Sequence, residues 1–211
     1  MVKVKKQKKK TQKQQHEDML RNMFVTLGVI VILVLAFYFI ANSVSNFNYK
    51  GVDFTIVKEE NLIFYQTSLP VSYQGQETEY NFYLRNDPRK LDDLPFEGEI
   101  EFMPLVVLNS TEDYTCGGYG VIAMANLVNL YTLMGSKVIQ DANATCDDSA
   151  NYLFLRLQPG NETSIEQFST GCYNLNINNC EILEVTEKLM VESFIKLNDA
   201  LNESTTFPSS E

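Results

Sequence analysis

Histidine is almost missing from this chain: there is one, His16, and none after it. Residues 42–211 therefore hold no Cys-His or Ser-His nucleophile pair and no histidine-containing zinc site. Charge is missing from 23–41, nineteen residues from Met23 to Ala41 with no Asp, Glu, Lys or Arg. A helix of that length rises roughly 28 Å, close to the hydrocarbon thickness of a bilayer. The buried helix of a soluble protein keeps a polar stripe, and this run has none. No stretch shows the D-x-[DN]-x-[DN]-G spacing of a calcium loop, and no internal repeat is present.

The charges that are present are unevenly placed. Residues 1–22 carry eight Lys or Arg against Glu17 and Asp18, a net of +6. Residues 42–211 carry nine against twenty-five acidic residues, a net of −16. A lysine-rich block beside an apolar run is a topology signal, which puts the tail in the cytoplasm and the rest outside. It is not read as a nucleic-acid surface, and no nucleic-acid partner is expected. A cleaved signal peptide has a shorter apolar region and small residues at its cut site. Ala41-Asn42-Ser43 fits that poorly, so the run is read as a retained anchor. The expected organisation is a basic cytoplasmic tail (1–22), a transmembrane signal anchor (23–41), a polar stalk (42–51), an extracytoplasmic domain (52–201) and a disordered tail (202–211).

Four cysteines, Cys116, Cys146, Cys172 and Cys180, all lie after the apolar run. An even number in an oxidising compartment reads as two disulfides, and local closure favours Cys116–Cys146 and Cys172–Cys180. Four sequons begin at Asn109, Asn143, Asn161 and Asn202. They are candidate glycosylation sites. With eighteen Asn in the segment, their number is close to chance.

The outer segment begins in β pattern: VDFTIV, NLIFYQT and EYNFYL are rich in aromatic and β-branched residues, separated by Glu59-Glu60-Asn61, Pro70 and Gln74-Gly75. A hairpin is expected around Gly75, and a loop over RNDPRKLDDLP. The apolar run 100–108 reads as a strand buried on both faces. After a polar loop, 121–134 reads as a helix apolar on nearly every side and hence well buried, with Gly135 as its C′ residue. A short strand over 137–142 completes a β-α-β unit. Strands are expected at 151–157 and within 176–185, and an amphipathic helix at 185–201. The fold class is thus α/β (or α+β): an N-terminal antiparallel β meander beside a small β-α-β core, preceded by one transmembrane helix.

Gly118-Tyr119-Gly120-Val121-Ile122-Ala123, with Asp141 further on, matches a dinucleotide fingerprint in spacing. Its first glycine, however, lies ten residues past the strand end, so the glycines are read as aids to close packing and no cofactor is expected. Cys116 before a helix N-terminus has the setting of a reactive thiol, but a half-cystine suits the compartment better. Glu59-Glu60, Asp92-Asp93 and Asp147-Asp148 read as solvated surface, and Arg85, Arg89 and Lys90 as loop counter-charges. The loop 109–118 is longer than an ordinary βα connection and leaves the carboxyl end of the most apolar strand. Its Glu112, Asp113 and Tyr114 form the candidate binding rim. The functional expectation is a membrane-anchored binding or scaffold protein with a protein partner, a subunit of an envelope complex. The alternative is a histidine-free enzyme such as a carboxylate-dependent glycan hydrolase.

Overall fold

The structure is a computed structural model that describes residues 2–73, 75–147 and 149–206. It divides into two units, Met1–Asn46 and Phe47–Glu211. The first unit is one helix, α1 (Val2–Ser45). Within it Met19–Phe39 has mean hydropathy 2.4 and is long and apolar enough to cross a membrane. Within its apolar part the Thr26 hydroxyl donates back to the Asn22 carbonyl at 2.8 Å, so that group is satisfied inside the helix. An apolar helix of this kind near the N-terminus is a membrane anchor or a signal sequence.

The second unit opens with an antiparallel sheet in the order β1-β2-β3-β4, formed by β1 (Asn46–Tyr49), β2 (Val52–Glu59), β3 (Leu62–Tyr73) and β4 (Gln76–Leu84). Residues 46–49 are therefore sheet rather than stalk. Phe47 and Tyr49 alternate with two asparagines, and Phe47 stacks on Phe54 at 5.6 Å. The β1–β2 turn holds Lys50 (φ 48°) and Gly51 (φ 88°), both left-handed, as a two-residue hairpin needs. Pro70 lies inside β3 rather than separating strands. It pairs with Glu79 of β4, beyond the register of β3 with β2 (62–66), an edge setting in which strands tolerate proline. The expected turn includes Gln74, which lies outside the described residues; its neighbour Gly75 has φ 78°.

The second sheet runs β5-β9-β10-β8-β6-β7, from β5 (Phe96–Glu97), β6 (Leu105–Ser110), β7 (Lys137–Gln140), β8 (Leu153–Pro159), β9 (Ser164–Ser169) and β10 (Cys172–Ile177). β6, β7, β8 and β10 are parallel, and β9 returns antiparallel beside β10. β6, α2 (Tyr119–Leu133) and β7 form the expected β-α-β unit. At the end of α2, Ser136 N donates to Tyr131 O and Gly135 N to Thr132 O, a Schellman closure around Gly135 at φ 88°. Strand β9 was not read in the sequence. The segment 176–185 is not a strand: it holds the end of β10, a turn at Asn179 and Cys180 (φ 45° and 64°), and the start of α3 (Ile182–Thr206). α3 runs on through residues 202–206, which were expected in a disordered tail.

One face of this sheet (Val106, Leu108, Leu153, Leu155, Leu157, Tyr173, Leu175, Ile177) shares a core with α2, α3 and the first sheet. The other face carries Val107, Phe154 and Cys172, with Ala144, Cys146 and Tyr152 from the 141–152 segment packed on them. Beyond those comes a polar row in register across the strands: Asn109, Arg156, Asn174, Glu166 and Glu97. The strand read over 100–108 begins only at Leu105 but is buried on both faces through Val106–Leu108, and the second face turns polar only towards the strands' carboxyl ends.

The helices exchange the roles expected of them. α3 is buried on nearly every side from Ile182 to Phe194. Thr186 and Ser193 return their hydroxyl protons to the Ile182 and Leu189 carbonyls, and Lys188 meets Glu192 at 2.9 Å. Glu187, wholly buried, accepts hydrogen bonds from Arg85 N (2.7 Å), Asn86 N (2.8 Å) and Asn86 Nδ2 (2.9 Å). α2, expected to be buried all round, buries only Gly120, Ala123, Leu127, Leu130 and Tyr131.

The disulfides pair Cys116 with Cys180 and Cys146 with Cys172, at Cα separations of 5.5 and 5.8 Å. The expected local pairing is overturned because β10 lies between Cys172 and Cys180. A six-residue strand carries the chain roughly 20 Å, far beyond the reach of one bridge. Taken singly, closed loops of 64 and 26 residues are worth about 4.3 and about 3.5 kcal/mol on the chain-entropy model. Peptide mapping without reduction should therefore return the linked pairs 116–180 and 146–172, and neither local pair.

Burial pushes the Glu187 carboxyl up to about 7, against the opposing pull of the Arg85 and Asn86 donors. A carboxyl raised in the folded state contributes stability that is complete below its unfolded value near 4.5 and lost as pH rises through about 7. Residues 47–206 contain no histidine, so no other side chain has its ordinary pKa in that window. Chemical denaturation from pH 4.5 to 8 should show stability falling by up to about 3 kcal/mol. Glu187→Gln should flatten that slope and cost about 1–3 kcal/mol, since an amide nitrogen cannot accept these donors.

Candidate functional site

Five elements converge where the parallel strands end. The loop from β6 into α2 is fastened at its start: Thr111 N donates to Leu157 O at 3.1 Å. It is fastened at its end by the Cys116–Cys180 bond to the turn before α3. Between these points its backbone presses on α2. A Cβ at Gly120 would sit 1.6 Å from the Tyr114 carbonyl oxygen, so only glycine permits the approach. Gly118 N and Gly120 N both donate to Thr115 O. The two glycines of the fingerprint thus shape this corner. Asp141, its acidic partner, accepts from Asn143 N at 2.8 Å in a local turn.

The loop, α2, β7, β8 and the first residue of α3 enclose a cleft of about 380 Å³. Tyr114, Val121, Met124, Leu157 and Ile182 supply apolar wall, Gln140 and Ser110 polar wall, and Glu112 and Asp113 stand exposed at its mouth. Glu112, Asp113 and Tyr114 are the three residues singled out in the sequence as a rim, and all three line this one cleft. The Tyr114 hydroxyl is shielded from solvent with Thr111 as a polar neighbour, but it makes no well-formed hydrogen bond among the described residues. Burial pushes that phenol up. Among the described residues no cation lines the cleft.

The cleft opens onto the outer face of α2, which sequence reasoning did not single out. Val121 is 71% exposed, Tyr119 46% and Ile122 39%. Ala125, Asn129 and Thr132 continue the exposed stripe, and Met124 and Val128 flank it half-buried. Asn129 Nδ2 donates to the Tyr80 hydroxyl at 3.3 Å, which brings that ring alongside. None of the fifteen residues of α2 is charged. A solvent-facing helix side without a charge is unusual on a domain this rich in carboxylates.

The other sequence candidates fall elsewhere. Cys116 is a half-cystine, so it is no nucleophile. Asp92 bridges Lys50 (2.7 Å) and Lys188 (3.6 Å), and Asp147 accepts from Ser149 and Asn151 within its own loop. Asp148 lies outside the described residues, and Glu59 and Glu60 sit at the β2–β3 hairpin. Among the described residues no group of three or more His, Cys, Asp or Glu is placed to hold a metal ion. Arg89 is engaged by Asp87 (2.6 Å) and lies over Phe47, while Arg85 lies over Phe64. A larger cleft of about 510 Å³, walled by Glu97, Asn161, Glu162, Ser164, Glu166 and Asn176, is polar throughout apart from Pro95 and Ile165.

Of the sequons, Asn143, Asn161 and Asn202 are exposed, and Asn109 is not. The Asn109 amide nitrogen donates to the carbonyls of Asp141, Ala142 and Ala144 at 2.9 to 3.2 Å, so it fixes the segment after β7 and cannot carry a glycan in the folded chain. No protein-family model, curated protein or solved structure matches this chain.

Folded protein from a glycosylating host should carry no glycan at Asn109, as peptide mass measurement would show. Asn109→Ala strands three carbonyls under the 141–152 segment and should cost about 1–3 kcal/mol in chemical denaturation.

Proposed function

We propose that the chain is a single-pass, signal-anchored membrane protein with its N-terminus in the cytoplasm. Its outer domain is a protein-binding or scaffolding module, a subunit of an envelope complex. The lysine-rich tail before the apolar helix supports the orientation. Two disulfides fit an oxidising compartment outside the cytoplasm. One observation carries the binding reading: α2 is chargeless all round, yet half of it faces solvent. An uncharged solvent face that exposes Val121 and Ile122 is the kind of helix surface that a neighbouring protein covers. The cleft beside that face supplies depth, and its loop is already held by a disulfide, which lowers the ordering cost of binding.

A carboxylate-dependent hydrolase has less support. It needs a carboxyl of raised pKa open to a cleft. Among the described residues, Glu187 is the raised carboxyl, and it is wholly buried and lines neither cleft described above.

Affinity purification of full-length protein from its native membrane should recover a stoichiometric protein partner. Val121→Glu, at a position 71% exposed, should lower that recovery about tenfold or more and leave melting of the domain unchanged, as surface substitutions do. Undiminished recovery with Val121→Glu, or no partner for the unaltered chain, defeats the reading.

A further inference from the structure

The shape and charge of the α2 surface specify what covers it. We infer that its occupant is an amphipathic, cationic helix of a partner protein, laid along α2 with one apolar side chain in the adjoining cleft. This rests on the binding reading above and adds the chemistry of the partner.

The exposed stripe of Val121, Ile122, Ala125, Asn129 and Thr132 recurs at helical spacing and rises roughly 16 Å, about three turns. Ala125, at its middle, is its smallest side chain, with Val121 and Ile122 on one side and Asn129 on the other. That is a groove into which the ridge of a second helix fits at an axial distance of roughly 8–10 Å. Past Val121 the surface drops into the cleft, where Tyr114, Met124, Leu157 and Ile182 surround a space of about 380 Å³. A leucine- or phenylalanine-sized anchor suits such a pocket. Glu112 and Asp113 stand at the mouth with no cation in the lining among the described residues, so the residues flanking the anchor should be Lys or Arg.

Charge also decides among the other coverings. A second copy would set one segment of net −16 against another. Anionic lipid headgroups would meet the same carboxylates, Glu112 and Asp113 first. A basic protein segment gains from the field that repels both.

A photo-reactive residue at position 121 of the full-length protein, irradiated in its native membrane, tests this directly. Position 58, exposed on β2, is the control. The expected result is a protein adduct, specific to position 121, whose crosslinked peptide carries apolar residues at i, i+3 or i+4 with Lys or Arg beside them. Glu112→Lys with Asp113→Lys should cut the adduct about tenfold, and more at low than at high salt, with melting unchanged. An adduct to a second copy, an adduct to lipid, or none above the position-58 control overturns the inference. A protein adduct on an acidic or uncharged segment, or one indifferent to the double lysine change, also overturns it while leaving the binding reading intact.

Discussion

A single buried carboxyl group ties the end of the first sheet to the helix that both sheets pack against. The strands of the two sheets are not hydrogen-bonded to each other; each packs against α3. On the first-sheet side, Phe194 lies 5.3 Å from Phe82, but apolar packing alone does not fix the angle at which β4 leaves the core. Glu187 does: its two oxygens hold the backbone of Arg85 and Asn86, about a hundred residues away in sequence, where β4 turns off. The polar residues around it follow from that commitment. A helix that admits one carboxylate into the core must satisfy its neighbours, which Thr186, Ser193 and the Lys188–Glu192 pair do internally or at the edge.

With α3 surrounded, α2 is left as the outer layer, and its position explains the surface. α2 buries one face on the sheet and α3, and among the described residues of this unit its other face stays exposed. The disulfide at its N-terminal corner, the glycine contact at Gly120 and the clamp of Thr111 on Leu157 together hold a concave shape beside it. That concavity sits at the carboxyl ends of β6, β7 and β8, where loops diverge in sheets of this kind.

Much of this arrangement is legible in the residues. Aromatic and β-branched runs mark the meander, the run through Val106–Leu108 marks the first strand of the β-α-β unit, and Gly135 marks the helix end. The excess length of the loop after β6 points to the cleft. Other features are illegible for definable reasons. NFNY is too short and polar to read as a strand until Phe47 meets Phe54. The 176–185 segment hides a turn because its left-handed residues are Asn179 and Cys180, not glycine. Glu187 looks like an ordinary surface residue of an amphipathic helix, since its three donors come from a turn far away in sequence. The cysteine pairing is the instructive case. CYNLNI alternates as a strand should, and reading it so would have separated Cys172 from Cys180.

That separation also bears on how the chain matures. The 146–172 loop is nested within the 116–180 loop, so one native bond joins the second and third cysteines in order of synthesis and the other joins the first to the last. By chain-closure statistics alone, Cys180 meets Cys172 about twentyfold more often than it meets Cys116. Cys116 and Cys146 also leave the ribosome before either native partner exists. Oxidation that keeps pace with emergence therefore traps two wrong crosslinks, and the native pair is reached by thiol–disulfide exchange once β10 has formed. This fold thus depends on a compartment that reshuffles disulfides as well as making them.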